Sequence, residues 1–421
     1  MNKHLDICFL GGIYPKEYEE EVIKNSKTGI ANAANNLQWK YIRGFDSISS
    51  NPIKIINSMY IGSFPKYYKK IMIHTQEFSH KKNATDINVG FLNIYGIKNY
   101  FRYLKLKPYL KKWSEEDKEQ EKIIFAYAMT YTFLKSLRYV KKCNLNVKTC
   151  LIVPDLPEYM NTTNKQSLLY KFLKTIEIMK IKKNMKYVDK FILLTEQMAE
   201  KLNIEQDRYI VIEGMVDFEN ENTEENLNNT NKPYIFKDEY TYLCYTGTLN
   251  EKYGIKTLVK AMDFLSDKKI KLVICGRGDS ERFIKEKNNG NIDYLGNLSY
   301  KDTMYILKNS DFLINPRSNE EEYTKYSFPS KTMDYLISGT PTLMFKLDGI
   351  PNKYDQFLNY FTFNNAEQMA QDINSLLERY EACLDKATKG KKYILEKKNN
   401  YFLCDKILKT ICCEYKREDR I

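Results

Sequence analysis

The stretch from Asp311 to Pro341 limits the possible folds more than any other part of the chain. Asp311-Phe312-Leu313-Ile314-Asn315-Pro316 is a short apolar run closed by proline, the pattern of a strand buried on both faces of a parallel sheet. After a polar loop, Phe328-Pro329-Ser330 signals a helix start, since proline suits a first turn and Ser330 can cap it, and Gly339 with Pro341 ends the helix. Open α/β sheets bind ligands where a loop leaves the carboxyl end of a strand and feeds a helix. The free amides and dipole of such a helix attract phosphate. Lys331 adds positive charge at that end, and Asp334, near one turn on, is a short acceptor within reach of a ribose diol.

The same punctuation recurs along the chain. Tyr242 to Gly247, Ile270 to Gly276 and Ile292 to Gly296 read as strands, with helices between them near 253–265 and from Ser280. That alternation predicts a doubly wound parallel sheet. In the first half, Leu5 to Leu10 ends in Gly11-Gly12, a helix is expected over 28–40, and further apolar strands fall at 89–95, 150–153, 191–194 and 209–212. Ser114-Glu115-Glu116-Asp117 resembles a capping box and predicts a helix running to about Lys142. A chain of 421 residues is long for one hydrophobic core, so two α/β domains are expected. The Asn- and Glu-rich segment 219–233 is the clearest linker, which places the domains at 1–218 and 234–395, with a final segment 396–421.

Charge narrows the partners without choosing one. Lys and Arg number 66 against 54 Asp and Glu, a balance of +12, which suits phosphate-bearing lipid, a nucleotide or nucleic acid. Ile97 to Trp113 interleaves Lys98, Arg102, Lys105, Lys107, Lys111 and Lys112 with aromatic and leucine residues. Ser167 to Lys186 sets Phe172, Leu173, Ile176 and Met179 beside many lysines. Both fit an anionic membrane interface or a solvated helix face. Single-stranded nucleic acid would accept the first pattern, but nothing else in the chain supports it, and no nucleic-acid partner is expected. The nine cysteines include no CxxC pair and the chain has three histidines, so reduced thiols are expected rather than disulfides or zinc. The apolar run at the amino terminus is too short for a signal peptide or a span. The expectation is a cytoplasmic protein whose membrane contact, on the inner face, is peripheral.

The run Ser327-Phe328-Pro329-Ser330-Lys331-Thr332-Met333-Asp334-Tyr335-Leu336-Ile337-Ser338-Gly339-Thr340-Pro341 resembles the nucleotide-sugar loop and helix of glycosyltransferase family 4. These are retaining enzymes of GT-B fold, and the likeness is to bacterial polysaccharide-building members. The resemblance implies two Rossmann-like doubly wound domains facing across a cleft, with the last helix crossing back to the first domain. It also implies a nucleotide diphosphate sugar donor with uracil as the expected base, a glycan or lipid-linked acceptor, and no cofactor or metal; no Asp-x-Asp metal motif occurs. Of the family's two glutamates eight positions apart, Asp334 matches the second and implies a ribose contact, while the first falls on Tyr326. Gly247-Thr248-Leu249 and Tyr253-Gly254-Ile255 match the first nucleotide loop, where an arginine and a lysine usually clamp the diphosphate. Thr248 and Tyr253 hold those places here, leaving Lys252, Arg277 and Lys331 as replacements. Donor contacts are thus expected from Gly247, Thr248, Arg277, Tyr326, Ser327, Phe328, Pro329, Ser330, Lys331 and Asp334. Gly12 falls in the acceptor-side cleft, where it would make room for donor phosphate or acceptor, although a tight turn alone also explains it. Asp155, after the strand at 150–153, matches an acidic element near the acceptor, and a loop-capping role is the other reading. Asp155 and Lys331 are the candidate catalytic residues. Two alternatives use the same architecture: a sugar-nucleotide epimerase, disfavoured by the shortage of cleft acids and histidine, and a non-catalytic partner of another glycosyltransferase.

Overall fold

Most of the apolar runs form strands because each is buried on both faces and its backbone groups must be paired within the sheet. The computed structural model describes residues 5–159, 168–218, 232–265, 269–288 and 290–413. Two compact units result: one ends at Glu213 and takes up the chain again at Asn400, and the other is Gly214–Asn399. Most of the linker expected at 219–233 lies outside the described residues.

In the first unit the strands are β1 (Leu5–Gly11), β2 (Lys54–Asn57), β3 (Met72–Ile73), β4 (Gln76–Phe78), β5 (Asp86–Asn88), β6 (Phe91–Leu92), β7 (Glu121–Tyr127), β8 (Lys148–Val153), β9 (Lys190–Leu193) and β10 (Tyr209–Val211). Eight of them make one sheet in the order β10-β9-β8-β7-β1-β2-β5-β4, parallel except for the β4–β5 pair. The chain reverses direction across the sheet between β1 and β7.

The helix expected from Ser114 to Lys142 is not there. The Lys98–Glu115 helix stops at that point, β7 follows, and a second helix runs Tyr131–Cys143. Ser114 caps nothing; its hydroxyl donates to the Lys111 carbonyl at 3.0 Å. Ile123-Ile124-Phe125-Ala126 is fully buried between β1 and β8, and an apolar run of that length fits a buried strand or a buried helix equally well by periodicity.

The second unit holds β11 (Thr241–Thr246), β12 (Ile270–Cys275), β13 (Ile292–Gly296), β14 (Phe312–Asn315), β15 (Thr342–Met344) and β16 (Asn359–Tyr360). All are parallel, in the order β13-β12-β11-β14-β15-β16. Numbered within the unit this is 3-2-1-4-5-6, the dinucleotide-fold order, whose switch point lies between its first and fourth strands. The Asn400–Cys413 helix returns to the first unit and packs on the Asn32–Ile48 helix. Gly44 is required there, since a Cβ would meet the Cys404 sulfur at 2.5 Å.

Candidate functional site

The loops after β11 and β14 meet beside the amino end of the Ser330–Ser338 helix, at the switch point of the second unit. Tyr335 ties the two strands together there: its buried hydroxyl accepts from Thr246 N at 3.0 Å and donates to Ile314 O at 3.4 Å. Gly254, at φ +75°, lies so close to the Pro316 carbonyl that any Cβ would collide with it. This approach brings Tyr253 alongside the exit of β14.

Helix entry differs from the expectation. Pro329 occupies the capping position, no side chain caps the helix, and Ser330 is its exposed first residue. A proline there offers the first amides no side-chain acceptor; Thr332 N already bonds the Pro329 carbonyl at 2.9 Å, so the ligand-facing amides are those of Ser330 and Lys331. Phe328 is an anchor rather than an exposed contact: it is buried with its ring centroid 5.4 Å from that of Tyr354.

Lys331 is half-buried, its ammonium 4.0 Å from the centroid of the buried Tyr245 ring. A Cβ at Gly247 would meet that ammonium at 3.0 Å. Loss of water, reinforced by the charge of Arg317, lowers the Lys331 pKa to about 7, only slightly offset by Cys244. The full charge expected of this lysine is therefore not held by these surroundings at neutral pH.

Arg317, not among the residues expected from the sequence, supplies a second cation. Its guanidinium lies 4.7 Å from the Tyr323 ring and 5.5 Å from the Tyr253 ring, and it donates to the Ser327 hydroxyl at 2.9 Å. Its Nε is buried and has no hydrogen-bond partner among the described residues, and the same holds for both amide atoms of Asn315, the last residue of β14. Position alone could have found Arg317, because it follows Pro316 directly at the carboxyl end of a strand.

The other named residues are more dispersed. Thr248 is exposed and its carbonyl accepts from Tyr245 OH at 2.7 Å. Arg277 is exposed beyond Gly276, with its carbonyl bonded to Leu249 N at 2.9 Å. Tyr326 closes the short Glu322–Tyr326 helix and its hydroxyl lies 3.4 Å from the Glu322 carboxylate. Asp334 is half-buried on the Ser330–Ser338 helix, one turn beyond Lys331.

Gly12 and Asp155 belong to the first unit. A Cβ at Gly12 would meet the Tyr60 ring at 2.5 Å, so that ring fills the room the glycine opens. The Tyr60 hydroxyl accepts from Ala128 N at 2.8 Å and donates to the Tyr127 carbonyl, which places this tyrosine at the reversal between β1 and β7. Asp155 is exposed two residues after β8, near enough to Tyr127 for its charge to help burial raise that phenol's pKa.

Comparison with known proteins agrees with this architecture. Residues 227–393 match the family described as Glycosyl transferases group 1. No curated protein matches the sequence. Among solved structures, sucrose-phosphate synthase from Thermosynechococcus elongatus superimposes with a TM-score of 0.64 at 11% identity, over 98% of this chain and 100% of that one. Anabaena HepE in complex with UDP gives 0.61 at 11% identity over 97% and 100%. WaaG, a glycosyltransferase involved in lipopolysaccharide biosynthesis, gives 0.61 at 12% identity over 96% and 98%. The fold is therefore GT-B, built from two Rossmann-like domains.

Proposed function

We propose that this chain is a retaining glycosyltransferase that moves a sugar from a UDP-sugar to a polysaccharide or lipid-linked acceptor. One observation carries the reading: a lysine and an arginine with no carboxylate partner among the described residues stand at a helix amino end, at the switch point of a 3-2-1-4-5-6 sheet, within the segment that matches group 1 glycosyltransferases. In the reaction the bond between the anomeric carbon and the donor phosphate breaks and a bond to an acceptor oxygen forms. The leaving diphosphate gains negative charge, which fixed cations and helix amides stabilise without reorganising. Lys331 and the first amides of its helix supply that stabilisation, Asp334 takes the ribose, and Asp155 positions the acceptor or handles its proton. The UDP bound in HepE supports uracil as the base.

The acceptor reading includes peripheral contact with an anionic membrane. No helix among the described residues is long and apolar enough to cross a bilayer. The test of the central reading is nucleotide release from a panel of nucleoside diphosphate sugars, with and without glycan acceptors. Acceptor-dependent release supports transfer. Conversion of the donor sugar without release would make the protein an epimerase, and binding without either would leave a non-catalytic partner.

A further inference from the structure

Arg317, a permanent cation, shares one site with Lys331, a lysine that titrates near neutral pH, and an anion bound there would be met by both charges. Among the groups acting on the Lys331 ammonium there is no carboxylate, only burial, the repelling charge of Arg317 and a minor effect of Cys244. Arg317 likewise has no ion pair among the described residues; its contacts are the Tyr253 and Tyr323 rings, the Tyr323 hydroxyl and the Ser327 hydroxyl. Ring faces and hydroxyls orient a guanidinium without neutralising it. The Nε of Arg317 is in addition buried with no hydrogen-bond partner among the described residues, which is costly unless something accepts from it. Both residues belong to the same switch-point site, Arg317 just beyond β14 and Lys331 at the second position of the following helix. A ligand that balances the pair carries two negative charges with oxygens spaced for two separate donors.

We infer that Arg317, held flat by Tyr253 and Tyr323, is the main grip on the diphosphate of the ligand, with Lys331 as its second cation. The positive charge thus comes from the exit of β14 and the helix that follows it, while in the loop after β11 the positions expected to clamp the diphosphate hold uncharged Thr248 and Tyr253 and Lys252 is exposed. Identifying the diphosphate as part of a nucleotide sugar rests on the proposed function; the anion site itself does not.

Calorimetry with UDP, UMP and inorganic pyrophosphate, on the wild type, Arg317→Gln, Arg317→Lys and the double variant Arg317→Gln/Tyr253→Lys, tests the assignment. Arg317→Gln should weaken UDP and pyrophosphate by about 10–100-fold and UMP by only a few-fold. Arg317→Lys should recover part of that loss. The double variant should recover most of it, because the Tyr253 ring already lies beside the guanidinium and an ammonium there reaches the same anion. Unchanged unfolding midpoints guard against a folding defect, and rescue by the double variant counts for the inference even if the single variant is less stable. Wild-type pyrophosphate binding that depends on Arg317, without any nucleotide binding, would uphold the anion site and reject the nucleotide-sugar reading. UDP affinity within two-fold of wild type in Arg317→Gln would overturn the inference and leave that reading standing, whereas a wild type that binds none of the three ligands would overturn both.

Discussion

The Lys331 ammonium faces the Tyr245 ring at 4.0 Å from its centroid, and a side chain at Gly247 would strike it. A ring face and a bare backbone replace water around the charge, and burial together with Arg317 lowers the lysine's pKa to about 7. An anion needs the charged form, so donor binding should draw in a proton. Affinity for UDP should fall as pH rises above about 7, approaching tenfold per unit. Calorimetry at pH 8 in buffers of different ionisation enthalpy should register the uptake. Lys331→Arg should flatten the dependence, since arginine keeps its charge, and Lys331→Ala should cost about 1.5–3 kcal/mol of binding at pH 7. Wild-type affinity that is flat from pH 7 to 9 would remove Lys331 from this role. The sign for the unliganded fold is opposite: a depressed lysine pKa means that stability contributed by this group rises as pH climbs from about 7 towards the ordinary lysine value.

Asp334 gives a test of the ribose assignment that is independent of the phosphate. It lies one turn beyond Lys331 on the same helix and is half-buried. Asp334→Ala should reduce UDP affinity about tenfold, the loss of one charge-assisted bond, and leave pyrophosphate affinity nearly as it was. Equal losses for the two ligands would mean that the carboxylate shapes the helix and does not touch the sugar.

Much of this site was legible because strand, turn and helix signals are local. Asp311 to Pro316, Pro329 and Gly339 gave the strand, the helix and the loop between them, and the glycine-ended runs gave the parallel sheet. The features that the sequence concealed depend on contacts between distant segments. Tyr253 becomes a platform for Arg317 only because Gly254 comes up against Pro316. Lys331 reads as a fixed charge until Tyr245 and Arg317 are brought around it. Gly12 suggests open space that Tyr60, 48 positions later by its number, in fact fills. The β7 segment is illegible as a strand because a helix signal at Ser114 precedes an apolar run whose period identifies neither structure.

His80 links two parts of the first unit by charge. Its ring nitrogens lie 2.7 Å from Asp46 and 2.6 Å from Asp86, all three side chains being buried. Burial alone would lower the His80 pKa, but the bonds to both carboxylates outweigh it and raise the value to about 9. The carboxylates also accept from Ile53 N at 3.0 Å and Ile55 N at 2.9 Å. A raised folded pKa means that the stabilisation is complete below the unfolded value of about 6.5 and is lost as pH rises through about 9. Hydrogen-exchange protection at Ile53 and Ile55 should therefore fall between pH 7 and 9.5, after correction for the intrinsic rate. His80→Gln should start lower and show little further fall. Equal pH profiles in the two proteins would show that the histidine is not the titrating link.

The membrane expectation also changes in detail. Arg102 is nearly fully buried, its Nε donating to Ser58 Oγ at 2.9 Å, and Trp113 is buried with its indole N–H on Asp6 at 3.1 Å. Lys98 turns to the Ile61 carbonyl at 2.9 Å. These residues face the packed side of the Lys98–Glu115 helix and cannot meet lipid. The expected Lys105, Lys111 and Lys112 stay exposed, and Lys107 joins a further basic group. Lys107, Lys135, Arg138 and Lys180, from three successive helices, are close enough that burial, and after it repulsion from Lys107, Lys180 and Arg138, lowers the Lys135 pKa. Lys135 lies over Tyr103 at 4.1 Å, Lys107 over Tyr139 at 4.9 Å, Arg138 over Tyr187 at 5.2 Å and Lys180 over Tyr131 at 5.5 Å. The same helices expose Tyr100, Leu104, Phe172, Leu173 and Met179. Each cation near an anionic surface contributes about 1 kcal/mol, so four give useful affinity before any ring or aliphatic chain inserts. Flotation with vesicles should show binding that rises with the fraction of anionic lipid and falls with salt. Changing Lys107, Lys135, Arg138 and Lys180 to Glu should abolish it, whereas Arg102→Lys should not weaken it. A wild-type protein that stays unbound to strongly anionic vesicles at low salt would exclude docking and direct the search to a soluble acceptor.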